Sequence, residues 1–159
     1  MSSIRQALRL ATAAILAASP AMATTATDHL TVTATVLSGC SLTGGSLSFG
    51  QYVSGQGQNL DATGQVNYAN CNGNLTFELD GGSAGDVNNR AMSSGSDKLK
   101  YQLYKNSSRT ALWGTGTDAF ALQLLSTLTG NVNVYGRIPS GQTVPAGTYN
   151  DVVNITLTF

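Results

Sequence analysis

The apolar positions of this chain recur mostly with a period of two. From Asn150 to Phe159, "NDVVNITLTF" sets Val153, Ile155, Leu157 and Phe159 on one face and Asn154, Thr156 and Thr158 on the other, the alternation of a half-buried strand. Near the other end, in "DHLTVTATVLSGC", Leu30, Val32, Ala34 and Val36 alternate with Thr31, Thr33 and Thr35. This second segment has no Gly or Pro before Gly39 and carries little charge, so it extends readily and lacks a charged gatekeeper against edge pairing. On pattern alone it is the domain's own first strand. The C-terminal strand raises a sharper question, because no turn follows it. Either it is a harmless terminal strand, or something outside the chain completes its sheet.

Between these two, the same reasoning predicts strands over Leu47–Phe49, Gln65–Cys71, Leu75–Asp80, Leu99–Tyr104, Phe120–Leu125 and Asn131–Ile138, with the outer pair at Leu30–Leu37 and Tyr149–Phe159. Turn-forming clusters separate them, among them Gly44-Gly45, Asn72-Gly73, Asp80-Gly81-Gly82 and Pro145-Ala146-Gly147, whose Gly, Asn and Asp tolerate positive φ. No stretch has convincing helical periodicity. Short amphipathic strands joined by such turns bury their apolar faces best as two sheets packed together, so the expected fold is an all-β sandwich. No internal repeat or linker marks a second domain.

The first residues stand apart. Arg5 and Arg9 precede a short apolar run, Leu10 to Ala18, and Ala21-Met22-Ala23 supplies an A-x-A site, so residues 1–23 read as a secretory signal peptide. That run is too short to span a bilayer, and no later segment approaches the roughly 20 apolar residues that spanning needs; no membrane insertion is expected of the exported chain. Without Arg5 and Arg9, six basic residues face eight acidic ones. That balance gives no electrostatic reason for a nucleic-acid partner. About 136 residues would remain, enough for one domain with a reasonable core. Cys40 and Cys71 are the two cysteines; in an exported chain an isolated pair is most simply a disulfide. A closed loop of this size would stabilise by roughly 3–4 kcal/mol.

Catalytic chemistry has little to work with. His29 is the single histidine, and in an extended N-terminal segment it makes a poor base for a Ser-His-Asp arrangement. The loop "DGGSAGD" from Asp80 to Asp86 does not match the EF-hand spacing for calcium, and turn formation explains its glycines. The scattered acidic residues single out no pair for glycoside hydrolysis. Trp113, Tyr101 and Tyr104 could form a sugar platform, but aromatics of this kind more often fill a sandwich core.

Taken in order, the motifs resemble a known family. A signal peptide with Cys40 shortly after it is followed by "LSFGQY" (Leu47–Tyr52), "VNYANC" (Val66–Cys71), "ELDGG" (Glu78–Gly82), "NNRAM" (Asn88–Met92), "LKYQLYKN" (Leu99–Asn106), "LWG" (Leu112–Gly114), "VYGRIP" (Val134–Pro139) and "PAGTYNDVVNITLTF" (Pro145–Phe159). Across nearly the whole mature chain the sequence resembles the spore coat protein U domain, the subunit type of archaic chaperone–usher pili in Gram-negative bacteria.

The resemblance implies an incomplete immunoglobulin-like β-sandwich that lacks its last strand, completed by a donor strand from a neighbouring subunit. It implies a signal peptide over 1–23, a donor-strand extension over 24–37 and the pilin domain over 38–159. Val153, Ile155, Leu157 and Phe159 would line the acceptor groove, and Leu30, Val32, Ala34 and Val36 would fill the groove of a neighbour, a case of strand addition between molecules. Burying those four donor side chains would gain about 6–10 kcal/mol gross.

The family disulfide maps onto Cys40 and Cys71. The implied partners are a periplasmic chaperone, which would grip the carboxylate at Phe159, an outer-membrane usher, and neighbouring subunits joined head to tail in an open filament. The expected function is that of a structural pilus subunit serving adhesion and biofilm formation, without enzymatic activity or cofactor. One-domain length favours a shaft or adaptor subunit. The competing readings are a self-contained secreted carbohydrate-binding or coat protein and, with less support, a small secreted hydrolase.

Overall fold

The computed structural model describes residues 27, 29–35 and 39–159. The chain divides into two units between Thr35 and Val36. In the first, residues 29–35 form no strand and are exposed, Leu30 at 88% and Val32 at 82%. The signal peptide and the positions Val36 and Leu37 lie outside the described residues.

The second unit is all-β. Its strands are β1 (Ser41–Thr43), β2 (Leu60–Leu79), β3 (Ala91–Ser94), β4 (Asp97–Lys100), β5 (Gln102–Tyr104), β6 (Phe120–Ile138) and β7 (Ile155–Thr158). One sheet runs β1-β2-β6-β5 with β7 also paired to β2, and β3 pairs with β4 in a second; neither closes into a barrel. Strands β2 and β6 are antiparallel along nearly their whole length, from Leu60 opposite Ile138 to Phe77 opposite Phe120.

Four predicted strands merge into these two because the chain bends without breaking. In the first half of β2 the buried positions are the even ones, Gly64, Val66 and Tyr68; past the bend they are the odd ones, Cys71, Leu75, Phe77 and Leu79. Register shifts flank Cys71, and Asn70 sits at φ 56°. An extra residue at a β-bulge inverts which face points inward and sharpens the bend. Both halves of β2 thereby bury one side while staying in the same sheet. Cys40 and Cys71 are disulfide-bonded, fastening the residue before β1 to this bend.

Other boundaries moved for equally local reasons. Leu99–Tyr104 splits at Tyr101, whose N–H donates to the Arg90 carbonyl at 3.1 Å, where the chain passes from β4 to β5. Leu47–Phe49 is not a strand. Its two apolar side chains instead lie over glycines of the sheet: a Cβ on Gly136 would come within 2.7 Å of Phe49 Cζ, and one on Gly64 within 3.0 Å of Leu47 Cβ. Ala91–Ser94 was not anticipated as a strand, and of Tyr149–Phe159 only Ile155–Thr158 is continuous strand, with Asn150 bridging separately to Ser93.

The core centres on Trp113 and Phe77, both 0% exposed, with Leu75, Leu79, Val66 and Ile138 around them. The Trp113 and Phe120 rings lie 5.2 Å apart, and the Trp113 indole N–H donates to the Phe77 carbonyl at 2.9 Å, which satisfies its one polar atom. Each such side chain contributes roughly 1.5–3 kcal/mol on burial.

Candidate functional site

Among the described residues, strand β7 is paired on one side only. It lies antiparallel to the end of β2, with Ile155 opposite Leu79 and Leu157 opposite Phe77, and Asp80 N–H extends the ladder to the Asn154 carbonyl at 3.1 Å. Antiparallel alternation turns the backbone groups of Asn154, Thr156 and Thr158 toward β2 and those of Val153, Ile155 and Leu157 toward the opposite edge. Among the described residues no strand pairs with that edge.

Beside it opens a cleft of about 410 Å³. Segment 45–49 lines one flank through Leu47 and Phe49, and segment 149–155 lines the other through Val153 and Ile155. Val66, Leu79, Leu103 and Val134 complete the lining from β2, β5 and β6. The two flanks approach each other near Gly44, where a Cβ would stand 3.7 Å from Ile155 Cδ1. A second hollow of about 720 Å³, of mixed polar and apolar lining, shares Leu47, Phe49, Met92, Tyr149 and Asn150 with the first and extends toward Tyr52 and Val144.

Of the acceptor positions named from sequence, Val153 and Ile155 line the cleft. Leu157 lies beyond it, packed on the core, and Phe159 is 58% exposed. Leu47, Phe49, Leu103 and Val134 were not named, although the alternation of Leu47 and Phe49 was visible as a strand. Trp113 and Tyr101 are buried, at 0% and 5% exposure, so no sugar platform forms from them and the core reading of these aromatics holds.

A polar network flanks the apolar lining. Asp151 accepts from the Tyr101 hydroxyl at 2.7 Å, from Ser83 N–H at 2.8 Å and from the Ser83 hydroxyl. Burial alone would raise the Asp151 carboxyl, but these donors outweigh it and hold it below the usual range. Asp80 is similar: burial raises it, while Gly82 N–H and the Asn154 amides bring it down on balance. Burial pushes the Tyr101 hydroxyl well up, and its bond to Asp151 adds to the effect, so it stays a donor. Behind them Arg90, 0% exposed, donates to the carbonyls of Asp80, Leu79 and Trp113 at 2.8 to 2.9 Å and to Gln102 Oε1 at 3.3 Å. Burial lowers its pKa against the pull of Tyr101, Asp80, Asp151 and Asp86. The site offers a largely apolar, open cleft beside a backbone edge that no described strand pairs with. That is a geometry for receiving extended polypeptide.

Residues 26–156 match the Spore Coat Protein U domain. The chain belongs to that family. Protein U of Myxococcus xanthus is 38% identical to it over an alignment of 181 residues that covers the whole of both chains. Among solved structures, the CsuC–CsuE chaperone–tip adhesion subunit pre-assembly complex from the archaic chaperone–usher Csu pili of Acinetobacter baumannii matches with a TM-score of 0.51 and 26% identity, over 76% of this chain and 39% of that one. The chain thus spans about two fifths of the length of the structure it resembles. As a Spore Coat Protein U domain protein it shares an open, all-β architecture with a Csu pilus protein, and the motifs quoted above fall around one site. "ELDGG" supplies Asp80, "NNRAM" Arg90, "LKYQLYKN" Tyr101, "LWG" Trp113, and the C-terminal motif Asp151 and Ile155.

Proposed function

We propose that the protein is a structural subunit of a chaperone–usher pilus, non-enzymatic, polymerising by donor-strand exchange. The observation that carries this is the apolar cleft along segment 149–155, which leads into the edge of β7 that no described strand pairs with. On this reading residues 24–37 are the donor extension and 38–159 the acceptor domain. Leu30, Val32, Ala34 and Val36 of one subunit fill the cleft of the next, while their backbone pairs with Val153, Ile155 and Leu157 and reaches toward Phe159. The described donor positions Leu30, Val32 and Ala34 are exposed, and exposed apolar side chains in alternation are what a neighbour's slot would bury.

Before assembly a periplasmic chaperone covers the cleft, and an outer-membrane usher passes the subunit to the growing fibre. Because donor and acceptor are different surfaces, the contact is heterologous and propagates into an open filament at the cell surface of a Gram-negative bacterium, where it serves adhesion and biofilm formation.

The test is size-exclusion chromatography of the mature domain lacking Thr24 to Leu37, with and without a synthetic peptide of that segment. A domain that aggregates alone and runs as a stable monomer with the peptide supports donor-strand exchange. A domain that is stable alone and ignores the peptide overturns it in favour of a self-contained binding protein.

A further inference from the structure

The Asp80–Asp86 loop looked in sequence like a turn and nothing more. In the structure it trades carboxylates with the strand that borders the cleft. Asp80, on the loop side, accepts from Asn154 N–H at 2.9 Å and from the Asn154 side-chain amide at 2.6 Å. Asp151, on the strand side, accepts from Ser83 N–H at 2.8 Å and from the Ser83 hydroxyl. The exchange is reciprocal, each segment giving one carboxylate and receiving one. Gly82, at φ +59°, makes it possible: a Cβ there would collide with the Asp151 carboxylate. Tyr101 holds the other Asp151 oxygen at 2.7 Å, and Arg90 anchors the loop by the Asp80 carbonyl at 2.8 Å.

We propose that this loop is a clasp that positions the acceptor strand, with Asp80, Ser83, Asn154 and Asp151 as its positioning residues. The inference rests on the donor-strand reading. Residues 151–154 lie between the Asn150 bridge to Ser93 and the start of β7, and Val153 faces the apolar cleft. Hydrophobic burial draws such a segment inward across the slot. The clasp opposes this by giving Asp151 and Asn154 charge-assisted partners on the loop. The cleft is thereby held open before a donor arrives, and the ordering cost of capture falls.

The experiment uses the full chain and a fluorescent peptide of residues 24–37, with capture followed by anisotropy. Ser83→Ala removes one donor without adding bulk and is expected to slow capture about ten- to a hundredfold, the equivalent of one charge-assisted bond. Ser83→Thr restores the hydroxyl and is expected to recover the rate. Asp80→Asn and Gly82→Ala should act in the same direction. Asp61→Asn is the control, since it breaks only the outer-face pairs with Arg137 at 2.8 Å and Arg109 at 3.2 Å; it should leave capture unchanged. Hydrogen exchange at Val152 to Ile155 should quicken in Ser83→Ala while the core amides stay protected, a local effect that general destabilisation would not produce. If the wild type captures peptide and Ser83→Ala captures it equally fast, the clasp is overturned and the donor-strand reading survives. If the wild type, refolded from denaturant in excess peptide, captures none, both fall.

Discussion

Arg90 offers the sharpest test of how this domain is held together, because it is a fully buried cation with no ion pair to a carboxylate of the described residues. Its guanidinium is 0% exposed and serves three backbone carbonyls, Leu79, Asp80 and Trp113, at 2.8 to 2.9 Å. These belong to the end of β2, the clasp loop and the segment carrying the core tryptophan, so one side chain ties three parts of the sandwich together. A charged hydrogen bond contributes about 1.5–3 kcal/mol, and three give a gross figure of about 5–9 kcal/mol. Desolvating the guanidinium costs several kcal/mol and offsets part of this. Arg90→Met, similar in length and apolar, recovers that cost but leaves three inward-facing carbonyls unpaired. The expected net loss is about 3–5 kcal/mol, a large share of the 5–15 kcal/mol that stabilises a typical domain. Arg90→Lys should lose most of the same amount, since an ammonium cannot reproduce the planar fork. Trp113 is the single tryptophan and accepts one of the three bonds through its carbonyl, so its fluorescence reports urea unfolding of the full chain directly. A midpoint shift worth less than about 1 kcal/mol for Arg90→Met, or a gain in stability, would refute the reasoning and show that desolvation cancels the bonds.

Three further outcomes follow from the same contacts. Removing the disulfide with Cys40→Ser and Cys71→Ser together should destabilise by roughly 3–4 kcal/mol through loop-closure entropy, read as a lowered urea midpoint; an unchanged midpoint would mean the bend of β2 is held by packing alone. Asp61, Asp80, Asp86 and Asp151 are all held below the usual carboxylate range, so their stabilisation is complete above the unfolded-state value near 4 and drains away as the pH falls below it. Thermal melts between pH 7 and pH 2 should show that acid limb, and Asp80→Asn with Asp151→Asn should flatten it; an identical limb in the double variant would place the titrating groups elsewhere. Gly136→Ala would bring a Cβ within 2.7 Å of Phe49 Cζ and 2.9 Å of Leu47 Cδ2, with an expected overpacking cost of about 1–3 kcal/mol and weaker donor-peptide capture as the cleft flank shifts; an unperturbed melt and capture would show that segment 45–49 yields freely.

Period-two alternation carried the fold class and most strand positions, because it is written in adjacent residues and needs no partner. Val153 and Ile155 were legible as one face of a strand for that reason. What local pattern could not supply was the far side of the cleft. Leu47 and Phe49 alternate like a strand, yet they pack over Gly64 and Gly136, and only the sheet register brings those glycines together. The merging of strands at Cys71 was equally hidden, since a bulge changes which parity faces inward without changing composition. The clasp lay furthest from view. Asp80 and Asn154 are 74 positions apart and Ser83 and Asp151 are 68 apart, and a turn-like glycine gives no sign that it makes room for a carboxylate. Asp80, Arg90, Tyr101 and Trp113 stood inside the motifs that carried the family resemblance, so the motifs pointed at the right residues while their reason for being there waited on the contacts.

The edges of the sheets show where protection has been left out. An unpaired strand edge invites pairing with other chains, and proteins commonly blunt it with short strands or charged side chains. Here β1 and β5 are three residues each, and β4 carries exposed Asp97, Lys98 and Lys100. The C-terminal edge is short but lacks the charge: from Val152 to Phe159 there is no charged side chain and no proline, and the apolar cleft lies beside its start at Ile155. An uncharged edge beside an apolar cleft is open to a further strand, and Leu30, Val32 and Ala34, exposed and uncharged, alternate in the same way.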